Sequence, residues 1–302
     1  MRNIFFALSF IICSISFGQE AKEYLISGNE KFRLRNYEGA IEDYSRAINL
    51  DPNYAKAYSN RGVAKSDLMD FKGALLDYNK AIDLNYSLDT TYNNRGSVKS
   101  DLHDFKGAIE DCSKAIEISP NYPNAFLTRG NAKLESQDFE GALLDFNKAI
   151  DLDPFLSGIY DSRGSLKLAL NDIVGALEDY NKSIELDPTN YTALCNRGVI
   201  KMESNDYNGA ISDFSKAIEI EPNYSGAYTN RGLSKKNIND FSGAFDDLNK
   251  VIEIDPKEPT AYVNRGALKF EKGDFDGACN DWTIAGELGY NDAYIIIKKF
   301  CE

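Results

Sequence analysis

Charged residues recur along this 302-residue chain at one fixed step, and they are the first place to look for chemistry. Arg stands at Arg61, Arg95, Arg129, Arg163, Arg197, Arg231 and Arg265, 34 residues apart each time. A Lys follows each of them after four residues, from Lys65 to Lys269, and Lys31 opens the series. Asp keeps the same step at Asp43, Asp77, Asp111, Asp145, Asp179, Asp213, Asp247 and Asp281. An Arg and a Lys four residues apart repel on a helix, and an Asp ladder neutralises them. Only the opening segment lacks the Arg, having Ser27, and only it has no neighbour before it. Each Arg is therefore expected to pair with the Asp of the preceding segment, Arg61 with Asp43 and onward, with Lys299 serving Asp281. A network that repeats everywhere serves stacking, because each segment of an array touches only its neighbours. These columns read as structural.

Other chemistry is scarce. The single histidine, His103, falls in a turn between helices, where exposure is the ordinary outcome. No His, Cys, Asp and Glu spacing suits a metal, no Gly-rich loop suits phosphate, and no spare chain remains for a catalytic domain. No catalytic residue, metal or cofactor is expected. Among five cysteines, Cys13 lies in the apolar N-terminal stretch. Cys112 stands where other segments have Tyr or Phe and reads as core, while Cys195 reads as facing a groove. Cys279 and Cys301 flank the last turn and either bridge in an oxidising compartment or stay as two thiols. The net charge of −13 argues against nucleic acid, whose phosphates need Lys and Arg. It suits a neutral or basic partner.

The elements that carry these columns are helices in pairs. Gly28, Gly62, Gly96, Gly130, Gly164, Gly198, Gly232 and Gly266 keep the 34-residue step, as do Gly-Ala pairs from Gly39-Ala40 to Gly277-Ala278. Tyr58, Arg61, Gly62 and Lys65 share the three-to-four spacing of one helical face. Asn36, Asp70, Asp104, Asp138, Asp172, Asp206, Asp240 and Asp274 stand where they would cap the second helix. Phe71, Ala74, Tyr78, Ala81 and Ile82 form its buried face. Pro52, Pro154, Pro188 and Pro256 stop it, since the residue before proline resists helical geometry. A helix-interior Gly costs about 1 kcal/mol against Ala, and close approach of neighbouring helices accounts for tolerating it. Eight units follow: 21–54, 55–88, 89–122, 123–156, 157–190, 191–224, 225–258 and 259–292.

This framework resembles the tetratricopeptide repeat family across the eight units, in an exported bacterial form with Arg-Gly-x-x-Lys units. The resemblance implies an all-α, right-handed α-solenoid superhelix of helix-turn-helix repeats whose first helices line a concave groove. The Arg before each Gly departs from the family, which has an apolar residue there. Some members grip extended peptides through an asparagine ladder, and Asn60, Asn94, Asn196, Asn230 and Asn264 resemble one, broken by Thr128 and Ser162. Val199, Leu233 and Ala267 beside the last three, with Met202, Val263 and Phe270, favour units six to eight as a peptide site. Acidic Asp67, Asp101, Glu135, Glu203 and Glu271 recur at the groove edge and favour a partner with positive charge. The family's clamp for chaperone C-terminal carboxylates is not matched: Asn29 fits, but Leu25 stands where a Lys is needed.

The two ends differ from the array. Arg2, the apolar run Ile4–Phe17 and the small residues Ser16 and Gly18 read as a signal peptide over residues 1–18, cleaved before Gln19. An uncleaved anchor is the alternative. Cleavage would remove one positive charge, Arg2, and take −13 to −14. No later segment is apolar enough to span a membrane. Residues 293–302 read as a short C-terminal helix capping the array 19–292. The expected protein is exported, periplasmic or extracellular. It is not an enzyme but a scaffold holding a protein or extended peptide. The alternative is a structural part of an envelope assembly that uses the outer face or the ends, and a remote third is an enzyme acting on glycans or peptides.

Overall fold

The computed structural model describes residues 2–301, with side chains from residue 18 onward. Among the described residues every regular element is a helix, seventeen in all. They form two compact units, Met1–Pro154 and Phe155–Glu302. The first holds α1 (Arg2–Arg33), α2 (Tyr37–Leu50), α3 (Ala55–Asp67), α4 (Phe71–Asp83), α5 (Leu88–Asp101), α6 (Phe105–Ile118), α7 (Pro123–Glu135) and α8 (Phe139–Leu152). The second holds α9 (Ser157–Ala169), α10 (Ile173–Leu186), α11 (Tyr191–Glu203), α12 (Tyr207–Ile220), α13 (Ser225–Asn237), α14 (Phe241–Ile254), α15 (Pro259–Glu271), α16 (Phe275–Glu287) and α17 (Asp292–Phe300). The signal peptide expected at residues 1–18, with Cys13, lies, Gly18 apart, outside the residues whose side chains are described. No helix among the described residues is long and apolar enough to cross a membrane.

One turn design ends each first helix and starts the second. In the second repeat the N–H of Asp70 returns to the carbonyl of Lys65 at 2.8 Å, and that of Met69 to Ser66. Met69 takes the left-handed conformation (φ 61°) such a helix ending requires. Arg35, His103, Gln137, Asn171, Asn205, Asn239 and Gly273 do the same in their turns. His103 is thus a turn residue, exposed at the surface. Asp70 then caps the next helix, its Oδ1 accepting from the N–H of Gly73 at 3.0 Å. All eight expected caps make this bond, each contributing about 1 kcal/mol. The Gly of each Gly-Ala pair is explained here: a Cβ at Gly73 would collide with the Asp70 carboxylate.

The other Gly column serves helix contact. A Cβ on Gly130 would come within 2.6 Å of the Phe146 ring, and one on Gly62 within 2.8 Å of Tyr78. Buried rings fill the space that glycine leaves, with Ala40, Ala74, Ala108 and their equivalents beneath them. Cys112 takes a ring position and is fully buried, as its column implied.

Within each unit consecutive helices pack side by side. First helices also touch first helices: α1 meets α3, α3 meets α5 and α5 meets α7, and in the second unit α9 meets α11 and α11 meets α13. In each unit the first helices therefore make one shared face, and the second helices look the other way. At the C-terminus α17 packs on α16. Ala293 is buried with Tyr262 and Ala285, and the Phe300 ring lies 5.0 Å from Phe270. Cys279 and Cys301 are disulfide-bonded, tying α16 to the end of α17.

Candidate functional site

The charged columns meet inside each hairpin, not between repeats. Arg61 donates through Nε and Nη2 to both carboxylate oxygens of Asp77, at 2.9 and 2.7 Å. Arg95 binds Asp111, Arg129 Asp145, Arg163 Asp179, Arg197 Asp213, Arg231 Asp247 and Arg265 Asp281 in the same way. The Lys of the same repeat joins on the second oxygen, as Lys65 does at 2.7 Å. The expected pairing of Arg61 with Asp43 is therefore corrected. Arg61 and Asp77 lie equally far before and after the turn at Met69, so antiparallel packing brings them level. Lys299 likewise does not serve Asp281, which Arg265 and Lys269 hold; it lies over the Phe300 ring.

The link between repeats runs through the remaining guanidinium nitrogen. Nη1 of Arg61 donates to Ser45 of the preceding repeat at 3.0 Å, and Arg95, Arg129, Arg197, Arg231 and Arg265 reach Asn79, Ser113, Asn181, Ser215 and Asn249. One Arg thus joins two helices of its own hairpin to the repeat before it. Burial pushes the carboxyls of Asp111 and Asp213 up. The hydrogen bonds and charges of their Arg and Lys partners outweigh that and hold both below the ordinary carboxylate value.

The first-helix face of each unit carries the residues that vary. Asn60, Asn94, Asn196, Asn230 and Asn264 are all half-buried there. Asn60 donates to Asn29 at 2.8 Å, and Tyr44 donates to the same oxygen at 2.9 Å. Asn196 reaches Asp161 at 3.5 Å. The side chains of Asn94, Asn230 and Asn264 have no hydrogen-bond partner among the described residues. Val199 and Leu233 are half-buried and Ala267 is exposed. Two neighbours differ from expectation. Cys195 is buried in the core of α11 and α12 and does not face a groove. Phe270 is covered by Phe300, Phe275 and Trp282.

Two further features have no periodic signature in the sequence. Asp161, on α9, accepts from Thr192 at 2.7 Å, and burial raises its carboxyl despite bonds from Thr192, Asn196 and Asn190. Concave space also opens in the first unit. A cavity of about 240 Å³ lies between α1 and α3, walled by Asn29, Phe32, Arg33, Tyr44, Asn60 and Val63. Another of about 600 Å³ lies on α5 and α7, with Ser97, Asp101, His103, Asn131 and Glu135 in its wall. The first is lined by Phe32, Tyr44 and Val63 as well as polar groups, and the second mainly by polar side chains. The expected acidic edge is present at Asp67 and Asp101, whose carboxyls burial raises. Glu271 is instead engaged by Lys236 at 2.9 Å. Among the described residues, no group of three or more His, Cys, Asp or Glu could hold a metal ion.

Tetratricopeptide repeat models match residues 28–68, 90–122 and 191–224, and 157–190 and 225–258. Together they span more than half of the chain, and no catalytic family is among them. No curated protein matches the sequence. Among solved structures, the crystal structure of the APC/C hetero-tetramer Cut9–Hcn1 aligns with a TM-score of 0.72 at 16% identity. That alignment takes in 92% of this chain and 55% of the other, so the chain spans about half the length of its match. MamA aligns at 0.47 with 23% identity, over 54% of this chain and 95% of its own. YrrB, described as a TPR protein with an unusual peptide-binding site, aligns at 0.45 with 23% identity, over 57% and 88%. At such identities the likeness to Cut9–Hcn1 concerns the fold alone: an all-α solenoid of tandem helix hairpins. Repeat period, turn chemistry and sequence matches agree, and the chain belongs to the tetratricopeptide repeat family.

Proposed function

We propose that this protein is a non-catalytic scaffold that holds a protein or an extended peptide along the face made by its first helices. The carrying observation is the uncommitted amides at Asn94 in the first unit and at Asn230 and Asn264 in the second, each half-buried on the first-helix face of its unit. A free carboxamide both donates and accepts, so a row of them suits the alternating groups of a peptide backbone. Val199, Leu233 and Ala267 supply apolar contact beside Asn196, Asn230 and Asn264. Asp67, Asp101, Glu135 and Glu203 give the edge a negative sign, which favours a partner with basic side chains. Tetratricopeptide repeats generally mediate protein–protein contacts, in keeping with this reading. The N-terminal apolar run and the Cys279–Cys301 bond support action outside the cytoplasm, in periplasm or extracellular space.

A second reading has its own support. Leu76 and Leu144, on the second helices α4 and α8, are 70% and 64% exposed, and Val174 on α10 is 70% exposed. An envelope assembly that engaged the outer face would use such residues. Replacing Asn230 and Asn264 together with Ala separates the two. The groove reading expects affinity for the partner to fall by about tenfold or more, with the thermal midpoint unchanged. Undiminished affinity in that variant rules the site out.

A further inference from the structure

In repeats two to eight one guanidinium occupies the same niche. It rests on both oxygens of the Asp in its own hairpin and lies over the ring three residues earlier. Arg61 stands over Tyr58 at 5.5 Å, Arg95 over Tyr92 at 5.3 Å and Arg265 over Tyr262 at 5.5 Å. Arg197 alone has no ring, since Leu194 stands there. The first repeat keeps the frame of this niche and lacks its filling. Tyr24, Lys31 and Asp43 hold the positions of Tyr58, Lys65 and Asp77, but Ser27 stands in place of Arg61. A cavity of about 380 Å³ opens at that point, walled by Tyr24, Ser27, Asp43 and Arg46, with Glu20 and Glu23 beside them.

The partners of Asp43 show what is missing. Its Oδ2 accepts from Ser27 at 2.6 Å and pairs with Lys31 at 2.6 Å. Its Oδ1, which in other repeats receives an Arg Nη2 at 2.6–2.8 Å, meets only Arg46 at 3.6 Å. Arg46 comes from the second helix, its side chain is 56% exposed, and it lies over Tyr24 at 5.6 Å. The equivalent residue is Lys in repeats two to seven, from Lys80 to Lys250. Arg46 therefore stands in loosely for the absent guanidinium, from the wrong helix and at a longer distance.

We propose that this recess is a binding site for an arginine side chain presented by a protein partner. The guanidinium lies over Tyr24, donates to Asp43 Oδ1 and displaces Arg46 toward solvent. Its outer N–H groups, which inside the array reach the preceding repeat, meet Glu20 and Glu23. Arginine is favoured over lysine because a planar guanidinium lies flat on a ring while donating along a fork to the carboxylate, whereas an ammonium meets a ring only as a point charge and has no fork. The chain itself shows the fit, since it fills the same niche with Arg in every later repeat.

The test uses the full chain titrated with N-acetyl-arginine methylamide, with N-acetyl-lysine methylamide as control, followed by NMR shifts of residues 20–46. The arginine probe is expected to shift Tyr24, Ser27 and Arg46 saturably, and the lysine probe to bind about tenfold more weakly or worse. Ser27→Arg fills the niche from within and is expected to abolish the response and raise the thermal midpoint. Arg46→Ala removes the internal competitor and is expected to tighten binding several-fold. No saturable shift in the wild type, equal response to both probes, or weaker binding by Arg46→Ala would each overturn the proposal.

Discussion

Asp111 holds two cations on one buried carboxylate, and removing either leaves part of its charge without a partner. Arg95 and Lys99 both lie 2.7 Å from it, and Arg95 also reaches Asn79 of the preceding repeat. Breaking a buried ion pair commonly costs about 3–5 kcal/mol, because a charge is left without its partner. Lys99 stays on one oxygen, so Arg95→Ala is expected to cost less, about 2–3 kcal/mol at neutral pH. The folded carboxyl sits below its ordinary value, so its contribution is present above that value and lost as pH falls through the folded one. Urea unfolding of wild type and variant should therefore differ at pH 7 and converge in acid. An equal gap at both pH values would mean that packing, not charge, is lost. The columns themselves were legible in the sequence, because charge at a fixed step is visible without a fold. Their partners were not: a 34-residue period fits pairing within a repeat and between repeats equally well. What decides is the mirror relation of Arg61 and Asp77 about Met69, which only the hairpin reveals.

At the scale of elements, the helix pairs and their caps follow from residue types alone. Asp70 caps because a carboxylate before a helix accepts free N–H groups, and Gly73 must follow because the cap leaves no room for a Cβ. Less legible was what the last element covers. Phe270 looks open to a ligand when its own repeat is considered, yet α17 lays Phe300 over it and over Trp282. That contact depends on where the end of α17 is held, and the Cys279–Cys301 bond holds it. Disulfides of this kind typically contribute about 2–4 kcal/mol. Reducing the bond, or replacing both cysteines with Ser, is expected to lower the thermal midpoint and shift the emission of Trp282, the only tryptophan. An unchanged emission spectrum on reduction would show that α17 is held by packing alone.

Across the molecule, uniform columns build the array and variable columns differentiate it. Gly, Arg, Lys and Asp recur because each repeat meets the next in the same way. Asn94 stands on the first-helix face of the first unit, where cavities open at Asn29 and Asp101, and Asp161, Asn230, Leu233 and Asn264 stand on that of the second. Composition could show which repeats are apolar, but concavity depends on how neighbouring side chains fill the face, so the cavities were not visible in advance. The central claim is that the first-helix face, and not the outer one, meets the partner. A photo-crosslinking amino acid placed at Leu233 on α13, and separately at Ser212 on the outer side of α12, tests it in the producing cell. Position 212 shares its column with the exposed Leu76 and Leu144, so it samples the competing surface fairly. Discrete adducts from position 233 and none from 212 are the expected result; adducts from 212 alone would contradict the account.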